Sequence, residues 1–408
     1  MRTARLSIPA VALLLVFAIP AGASGGAVPA GKAVSGCLPG VVPNGFLAAV
    51  AASSSSNSWA VGSYSRSIGQ SQTLAEHWNG STWCQVTSPN PGSTSAAHQL
   101  SGVTVLSGSS AWAVGSYGSS TVSKTLVLHW NGTAWQQRAS PNPAGFSAGS
   151  ELLGVAATSS ADAWAVGLSA KSVVTTLTLI TRWNGTRWVR VPSPNPGGTG
   201  SGSRNVLVSV AATSATNAWA VGYYVNSTSN GPVILHWNGT AWKQQAVTNP
   251  PAGAGLSSVA AVSPASAWAV GASNCAPQCK TLIEHWNGST WTRQPSPNPP
   301  RFSFGTMLTG TAAASATDVW AAGASTHDVG PAISQTLTEH WNGTSWVQVP
   351  SPNPGGTGST AFNWLTAVAA LSPSRAWAVG ASATSPTTTG HTLVEHWNGT
   401  AWKVQPSP

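Results

Sequence analysis

Residues Glu395–Trp402 read EHWNGTAW, which places an acid, a histidine, an Asn-Gly-Thr sequon and two tryptophans side by side. A metal site, a glycan acceptor, a sugar-stacking surface and a structural frame could each use these residue types. Counting decides among them. Trp-Asn-Gly recurs at Trp78, Trp130, Trp183, Trp237, Trp286, Trp341 and Trp397, spaced 49 to 56 residues apart. Ala-Trp-Ala-Val-Gly, or a close variant, precedes each copy and supplies Trp59, Trp112, Trp164, Trp219, Trp268, Trp320 and Trp377. A third tryptophan closes each copy, at Trp83, Trp135, Trp188, Trp242, Trp291, Trp346 and Trp402. Three per copy in seven copies account for 21 of the 22 tryptophans, and only Trp364 stands outside the pattern.

Each copy reads as four short strands, a to d. Strand a is LxxVAA, as in Leu365–Ala370, and strand b is AWAVG, alternating large and small residues with period two. Strand c is TLxEHW. Asn-Gly follows it, the residue pair of a type I′ hairpin with positive φ at both central positions. Strand d ends in Ser-Pro, and proline cannot donate to a further ladder. Four antiparallel strands repeated at roughly 50 residues predict an all-β fold, a seven-bladed β-propeller with four antiparallel strands per blade. The propeller is expected over 45–408, with blades starting near 46, 99, 151, 206, 255, 307 and 364. A parallel solenoid is the rival, but it uses shorter repeats and has no place for a hairpin in each one. Blades stack face on face, so Trp and Val of strand b are expected against a neighbour's Ala and Gly. No blade is split between the termini, so the first must close directly on the last.

Composition agrees. Only 6% of the 408 residues are charged, against roughly 25% in ordinary soluble chains. The formal charge of +9 reflects a shortage of acids, eight in all. Lys and Arg are scattered without a basic stripe, which argues against a nucleic-acid partner. Residues 1–23 have the order of a secretory signal: Arg2 and Arg5, an apolar run from Ile8 to Ile19, then small residues at Ala21–Ala23. Residues 24–44 are a short N-terminal segment. No later stretch approaches the ~20 apolar residues of a membrane span. The expectation is a secreted, monomeric protein, and its Ala, Gly and Arg content points to a high-GC bacterium. Export permits disulfides, and four cysteines allow three pairings. Cys275 and Cys279 in NCAPQCK are expected to staple one loop, which leaves Cys37 with Cys84. Zinc is the alternative, and it would need four ligands from distant places in an oxidising compartment.

The pattern AWAVG…TLxEHWNGTxW…SPNP resembles the kelch repeat, in which an apolar strand ends in paired glycines and a hairpin ends in tryptophan. The resemblance covers about 45–408 and implies a propeller like the central domain of galactose oxidase. It departs at the diglycine, because a single glycine follows the valine (Gly62, Gly115, Gly167, Gly222, Gly271, Gly380) and the sixth copy reads VWAAG. The hairpin also faintly resembles the Asp-box turn of sialidase-like propellers, with asparagine in place of aspartate.

Function is expected on one rim. The a–b and c–d turns are nearly identical between copies, whereas the b–c loops (SYSRSIGQSQ, YYVNSTSNGP, ASNCAPQC, ASTHDVGPAISQ) share little, and the d–a loops vary too. Loops on a rigid scaffold commonly carry function. Seven residues just before the strand-a leucine should ring the channel mouth on that rim: Phe46, Gln99, Glu151, Val206, Gly255, Met307 and Trp364. Tyr64, Tyr117, Tyr223 and Tyr224 follow strand b nearby, and Arg66, Arg204, Arg301, His327 and Asp328 lie in the loops. The ligand-binding set read from the sequence is Phe46, Gln99, Glu151, Trp364, Tyr64, Tyr117, Tyr224 and Arg204, for an extracellular carbohydrate or protein.

Enzyme chemistry finds few carriers. A glycosidase needs two facing carboxylates, yet Glu76, Glu284, Glu339 and Glu395 belong to strand c, and Asp162 and Asp318 to a–b turns. A copper-radical oxidase would need a cysteine–tyrosine crosslink, and the tyrosines lie near no candidate cysteine. The recurrent histidines (His77, His129, His236, His285, His340, His396) fall on six different blades, and Arg182 replaces the seventh, so a structural role is expected and no metal. No catalytic residue and no cofactor are assigned. The alternatives are a polysaccharide lyase or glycosidase using Glu151 at the channel mouth, and a structural envelope protein. The seven Asn-Gly-Ser/Thr sequons follow from turn chemistry.

Overall fold

The computed structural model describes residues 42, 44–67, 70–93, 96–119, 122–143, 145–275, 278–299, 305–327, 333–385 and 390–408. The described chain is all-β. The first repeat forms β1 (Gly45–Ser54), β2 (Asn57–Ser67), β3 (Gln70–Trp78) and β4 (Trp83–Gln85). The second forms β5 (Ala97–Ser107), β6 (Ser110–Gly118), β7 (Ser123–Trp130) and β8 (Trp135–Gln137). The third forms β9 (Gly149–Ser159), β10 (Asp162–Ser172), β11 (Thr175–Trp183) and β12 (Trp188–Val191). The fourth forms β13 (Arg204–Ser214), β14 (Asn217–Val225), β15 (Asn230–Trp237) and β16 (Trp242–Gln244). The fifth forms β17 (Gly255–Ser263), β18 (Ser266–Ser273), β19 (Lys280–Trp286) and β20 (Trp291–Gln294). The sixth forms β21 (Gly305–Ser315), β22 (Asp318–His327), β23 (Ile333–Trp341) and β24 (Trp346–Val349). The last forms β25 (Phe362–Ser372), β26 (Arg375–Ala383), β27 (His391–Trp397) and β28 (Trp402–Val404).

Within every repeat the strands pair antiparallel in chain order. β5 to β16 form one 12-stranded sheet, because single-residue parallel bridges join β7 to β9 (Ser123 to Gly149) and β11 to β13 (Thr176 to Arg204). The inner strands β1, β5, β9, β13, β17, β21 and β25 each contact the next, and β25 contacts β1. The repeats therefore close on themselves around an axis as a β-propeller.

The lone glycine of AWAVG has a steric cause. Strand a carries a bulge after its leucine, as at Leu47/Ala49 and Leu365/Ala367. The bulge drives the preceding carbonyl onto strand b. A Cβ on Gly62 would meet the Phe46 carbonyl oxygen at 1.9 Å, and one on Gly380 would meet that of Trp364 at 1.9 Å. Only hydrogen fits there. The bulge was not legible in the sequence; its glycine was.

Tryptophans rivet neighbouring repeats. Trp59 of strand b contacts Trp130 and Trp135 of the next repeat, both at 4.8 Å. Trp219 likewise meets Trp286 and Trp291 at 5.0 Å. The series closes with Trp377 of the last repeat on Trp78 (4.9 Å) and Trp83 (5.1 Å) of the first. One of each pair is tilted and the other edge-on, as aromatic quadrupoles prefer. The strand-b indoles are therefore seated on the neighbour's hairpin indoles as well as on its alanines; Trp59 shares its cluster with Ala111 and Ala113. Thr366 Oγ1 adds a 2.7 Å bond to the Leu47 carbonyl across the closing interface.

The hairpin differs from the expected type I′ turn. Trp397 pairs with Trp402, leaving a four-residue loop, and only Gly399 has positive φ (+95°). Asn398 Oδ1 accepts from the Thr400 amide (3.0 Å), the Thr400 hydroxyl (2.8 Å) and the Ala401 amide (3.0 Å). The other copies repeat this, as at Asn79 with Ser81 and Thr82. The asparagine is an Asx-type cap rather than a positive-φ residue. The sequon arises because the same oxygen needs a hydroxyl two residues on.

The SPNP segment is a latch. Asn90 Oδ1 accepts from the Thr73 amide at 2.8 Å, and the hydroxyls of Thr73 and Ser88 lie 2.7 Å apart. Asn353, Ser351 and Thr336 repeat the arrangement at 2.8 and 2.7 Å. Strand d thus stays short, and its continuation is pinned to the start of strand c.

Candidate functional site

Four antiparallel strands return their b–c and d–a connections to the end where strand a begins, so all variable loops share one rim. Three of the exposed large apolar side chains among the described residues lie there. They are Val122 (42% exposed), Val173 (82%) and Val174 (45%), in the b–c loops of the adjacent second and third repeats. Arg204 Nη2 donates to the Val173 carbonyl at 3.3 Å and ties that loop to the start of β13. Burial pushes the Tyr223 phenol up to about 12, with Arg204 opposing the shift. Tyr224 packs partly buried against the cluster between the third and fourth repeats.

A second feature of this rim is a cleft of about 150 Å³ between the first and second repeats, lined by Gln70, Gln72, Asn90 and His98 among others. Tyr64 donates its hydroxyl to Gln72 Oε1 at 2.7 Å. His98 is 3% exposed, its ring nitrogens facing the carbonyls of Pro91 (2.7 Å) and Ser71 (3.2 Å), and Tyr117 stacks on it at 6.2 Å. Beside them Gln99 Nε2 donates to Ser116 Oγ at 3.2 Å. Tyr117 packs on the cluster between the first and second repeats, whereas Tyr64 packs on the cluster that joins the last repeat to the first, so the two tyrosines serve different seams.

Phe46, Glu151, Arg204, Tyr224 and Trp364 line other parts of the ring. Phe46, Gln99, Glu151 and Trp364 hold equivalent register positions, each offering its carbonyl to the strand-b glycine. Trp364 stacks on Phe362 at 6.3 Å. Burial raises the Glu151 carboxyl above its ordinary range, and a hydrogen bond with Ser123 of the preceding repeat opposes the shift. Arg301 and Asp328 lie outside the described residues, and of Arg66 and His327 only the backbone is described.

Sequence reading missed His98, Asn205 and Asn363. Asn205 Oδ1 accepts from the Gly197 amide at 2.7 Å, and its amide group donates to the Gly198 carbonyl at 2.8 Å. Asn363 does the same with Gly355 (2.8 Å) and Gly356 (2.9 Å). Both asparagines are fully buried and anchor the d–a loops. The available signal was that only these two loops carry Pro-Gly-Gly-Thr-Gly, each followed by such an asparagine.

The acids and histidines of the repeat belong to the frame. Histidine of strand c stacks on the strand-b tryptophan of its own repeat, as His285 on Trp268 at 4.0 Å and His236 on Trp219 at 4.2 Å. Arg182 takes this place in the third repeat, with its guanidinium 4.8 Å from the Trp164 ring and an ion pair to Asp162 at 2.7 Å. Asp318 is bonded to His340. Glu76, Glu284, Glu339 and Glu395 are 0–1% exposed, and among them only Glu339 has a hydrogen-bond partner, Ser296. Burial pushes Glu76, Glu339 and Glu395 up to about 8 and Glu284 up to about 7. Among the described residues this leaves Glu151 as the acid of the variable rim.

Cys275 and Cys279 form a disulfide across the b–c loop of the fifth repeat. Cys84 is also disulfide-bonded, and its expected partner Cys37 lies outside the described residues, as does the expected signal segment. No described helix is long and apolar enough to cross a membrane.

No family model matches the chain, and no curated relative matches it. Solved structures do. A xyloglucanase of glycoside hydrolase family 74 from Xanthomonas campestris matches at TM-score 0.54 and 12% identity, over 90% of this chain and 55% of that one. An ulvan lyase of polysaccharide lyase family 25, bound to -[GlcA(1-4)Rha3S]-, matches at TM-score 0.51 and 8% identity, over 90% and 97%. YCF48 bound to D1 peptide matches at TM-score 0.48 and 14% identity, over 91% and 98%. The first two likenesses bear on the propeller fold alone.

Proposed function

We propose that this chain is an exported, kelch-like propeller of seven blades that binds a protein partner on its variable rim without catalysis. In this reading the 12-stranded sheet is three blades joined by two single-residue bridges. The observation that carries the function is the exposure of Val122, Val173 and Val174 on neighbouring loops of the one rim where the repeats differ. Exposed apolar side chains gathered in one region, rather than scattered singly, mark interaction surfaces. Tyr64, Tyr117, Tyr224, Arg204 and Trp364 supply the tyrosine, tryptophan and arginine that dominate binding hot spots. Carbohydrate is the other ligand class this rim would take. The test is a cross-linking pull-down followed by affinity measurement on the purified binder, beside a glycan array. Val173→Ser/Val174→Ser should weaken a protein binder at least tenfold; unchanged affinity, or no binder on either screen, rejects the reading.

A second reading has its own observation. Glu151 is a carboxyl raised by burial on the variable rim, as a general acid near neutral pH would be. Polysaccharide turnover lost on Glu151→Gln would establish an enzyme in place of a binding module.

A further inference from the structure

The opposite rim, where the a–b and c–d turns repeat almost unchanged, carries a departure that forms a cleft. A cleft of about 270 Å³ opens there between the second and third repeats. Arg138 and Arg187 both line it. Arg138 stands three residues past the closing tryptophan, where the other copies have Val86, Val191, Gln245, Gln294, Val349 and Gln405. Arg187 is the last turn residue, where the others have Thr82, Ala134, Ala241, Thr290, Ser345 and Ala401. Two exceptions in different repeats thus share one cleft, because the outer strand of the second repeat faces the hairpin of the third.

Neither guanidinium is neutralised. Among the described residues the ion pairs are Arg182–Asp162 and His340–Asp318, both elsewhere. Arg138 reaches only Gln136 Oε1, at 3.1 Å. The cleft contains no acid. His129 in its wall is held loosely by Ser110 at 3.4 Å, whereas His77 and His236 have asparagine partners at 2.8 and 2.7 Å. Its other ring nitrogen, Nδ1, is buried without a partner. Burial and the nearby Arg138 lower the His129 pKa, which keeps the ring neutral and able to accept as well as donate. The remaining wall is rigid and aromatic. Trp183 fixes its indole N–H on the Ser160 carbonyl at 3.0 Å and rests on Trp112 at 5.0 Å.

We infer that this cleft binds an acidic sugar residue, its carboxylate or sulfate held between Arg138 and Arg187 and its ring against Trp183. Guanidinium forks match the planar oxygens of a carboxylate and the face of a sulfate. The indole offers an apolar plane, the long Ser110–His129 Nε2 contact can give way to a ring hydroxyl, and Thr186 Oγ1, which donates its proton to Asn184 Oδ1, can still accept from one. The volume lies just under the ~300–1,000 Å³ of drug-sized pockets, room for one ring rather than a long chain. The site is independent of the variable rim.

The test is calorimetric titration of the full chain with a galacturonate trisaccharide, a sulfated trisaccharide, a neutral glucose trisaccharide and inorganic sulfate. An acidic trisaccharide should bind, uronate or sulfated according to which source fills the site, while the neutral one does not. Arg138→Gln and Arg187→Gln should each weaken binding about tenfold or more, and Lys403→Gln, which removes one charge far from the cleft, should change nothing. Both arginine variants should keep the wild-type melting temperature, since neither side chain supports the core. No binding, equal binding of the neutral sugar, indifference to both arginines, or inorganic sulfate binding as tightly as the sugars would each overturn the inference.

Discussion

The two rims are made by the same repeats under different constraints. On the a–b/c–d rim the backbone is closed by side chains that cannot vary much. The cap asparagine must bond two amides and a hydroxyl, and the hairpin indoles must receive the neighbour's Trp. On the b–c/d–a rim the anchors lie inside the ring, in the SPNP latch and in Asn205 and Asn363. The loop tips beyond them are free to differ. Where each rim breaks its own rule is informative: the variable rim exposes valines, and the uniform rim gathers two arginines.

The comparison can be broken first at the rivets. Trp219→Ala removes an indole that is fully buried and touches Trp286 and Trp291. A loss of about 3–5 kcal/mol is expected in denaturant unfolding. A loss under 1 kcal/mol would mean that the repeats are not held together by these contacts.

The buried acids come next. Glu395 is fully buried, has no hydrogen-bond partner, and is pushed up to about 8 from an ordinary 4.5. The folded state therefore binds more protons than the unfolded chain between those values, so stability falls as pH rises from about 4.5 to about 8. Glu395→Gln keeps the shape without the ionisation. It should match wild type near pH 4 and exceed it by roughly 2–4 kcal/mol at pH 8. Thermal melts across that range check this, and parallel wild-type and variant curves would refute it.

Smaller effects separate the rims directly. Asn398→Ala removes three bonds from one cap and should cost about 1–2 kcal/mol in chemical denaturation. Val173→Ser, 82% exposed at a loop tip, should stay within about 0.5 kcal/mol of wild type in the same assay. If the loop change costs as much as the cap change, the variable rim is part of the frame.

EHWNGTAW shows what the sequence by itself determined. Its recurrence implied a hairpin in every repeat, strands of period two and the propeller, because burial pattern and turn chemistry are local and repeat wherever the residues repeat. The place of Trp397 and Trp402 at the two ends of that hairpin was legible for the same reason. Tertiary structure alone decided the rest. Asn398 and Thr400 form an Asx cap, not a type I′ turn, since the Trp397–Trp402 pairing sets the loop length. The bulge that explains Gly380 exists only once strands a and b are paired. Tyr64 packs at the seam of the last and first repeats and Tyr117 at that of the first and second, because the ring sets each rim residue between a particular pair of repeats. Arg138 and Arg187 lie 49 residues apart in the chain. They share a cleft because face-to-face packing brings the outer strand of one repeat against the turn of the next.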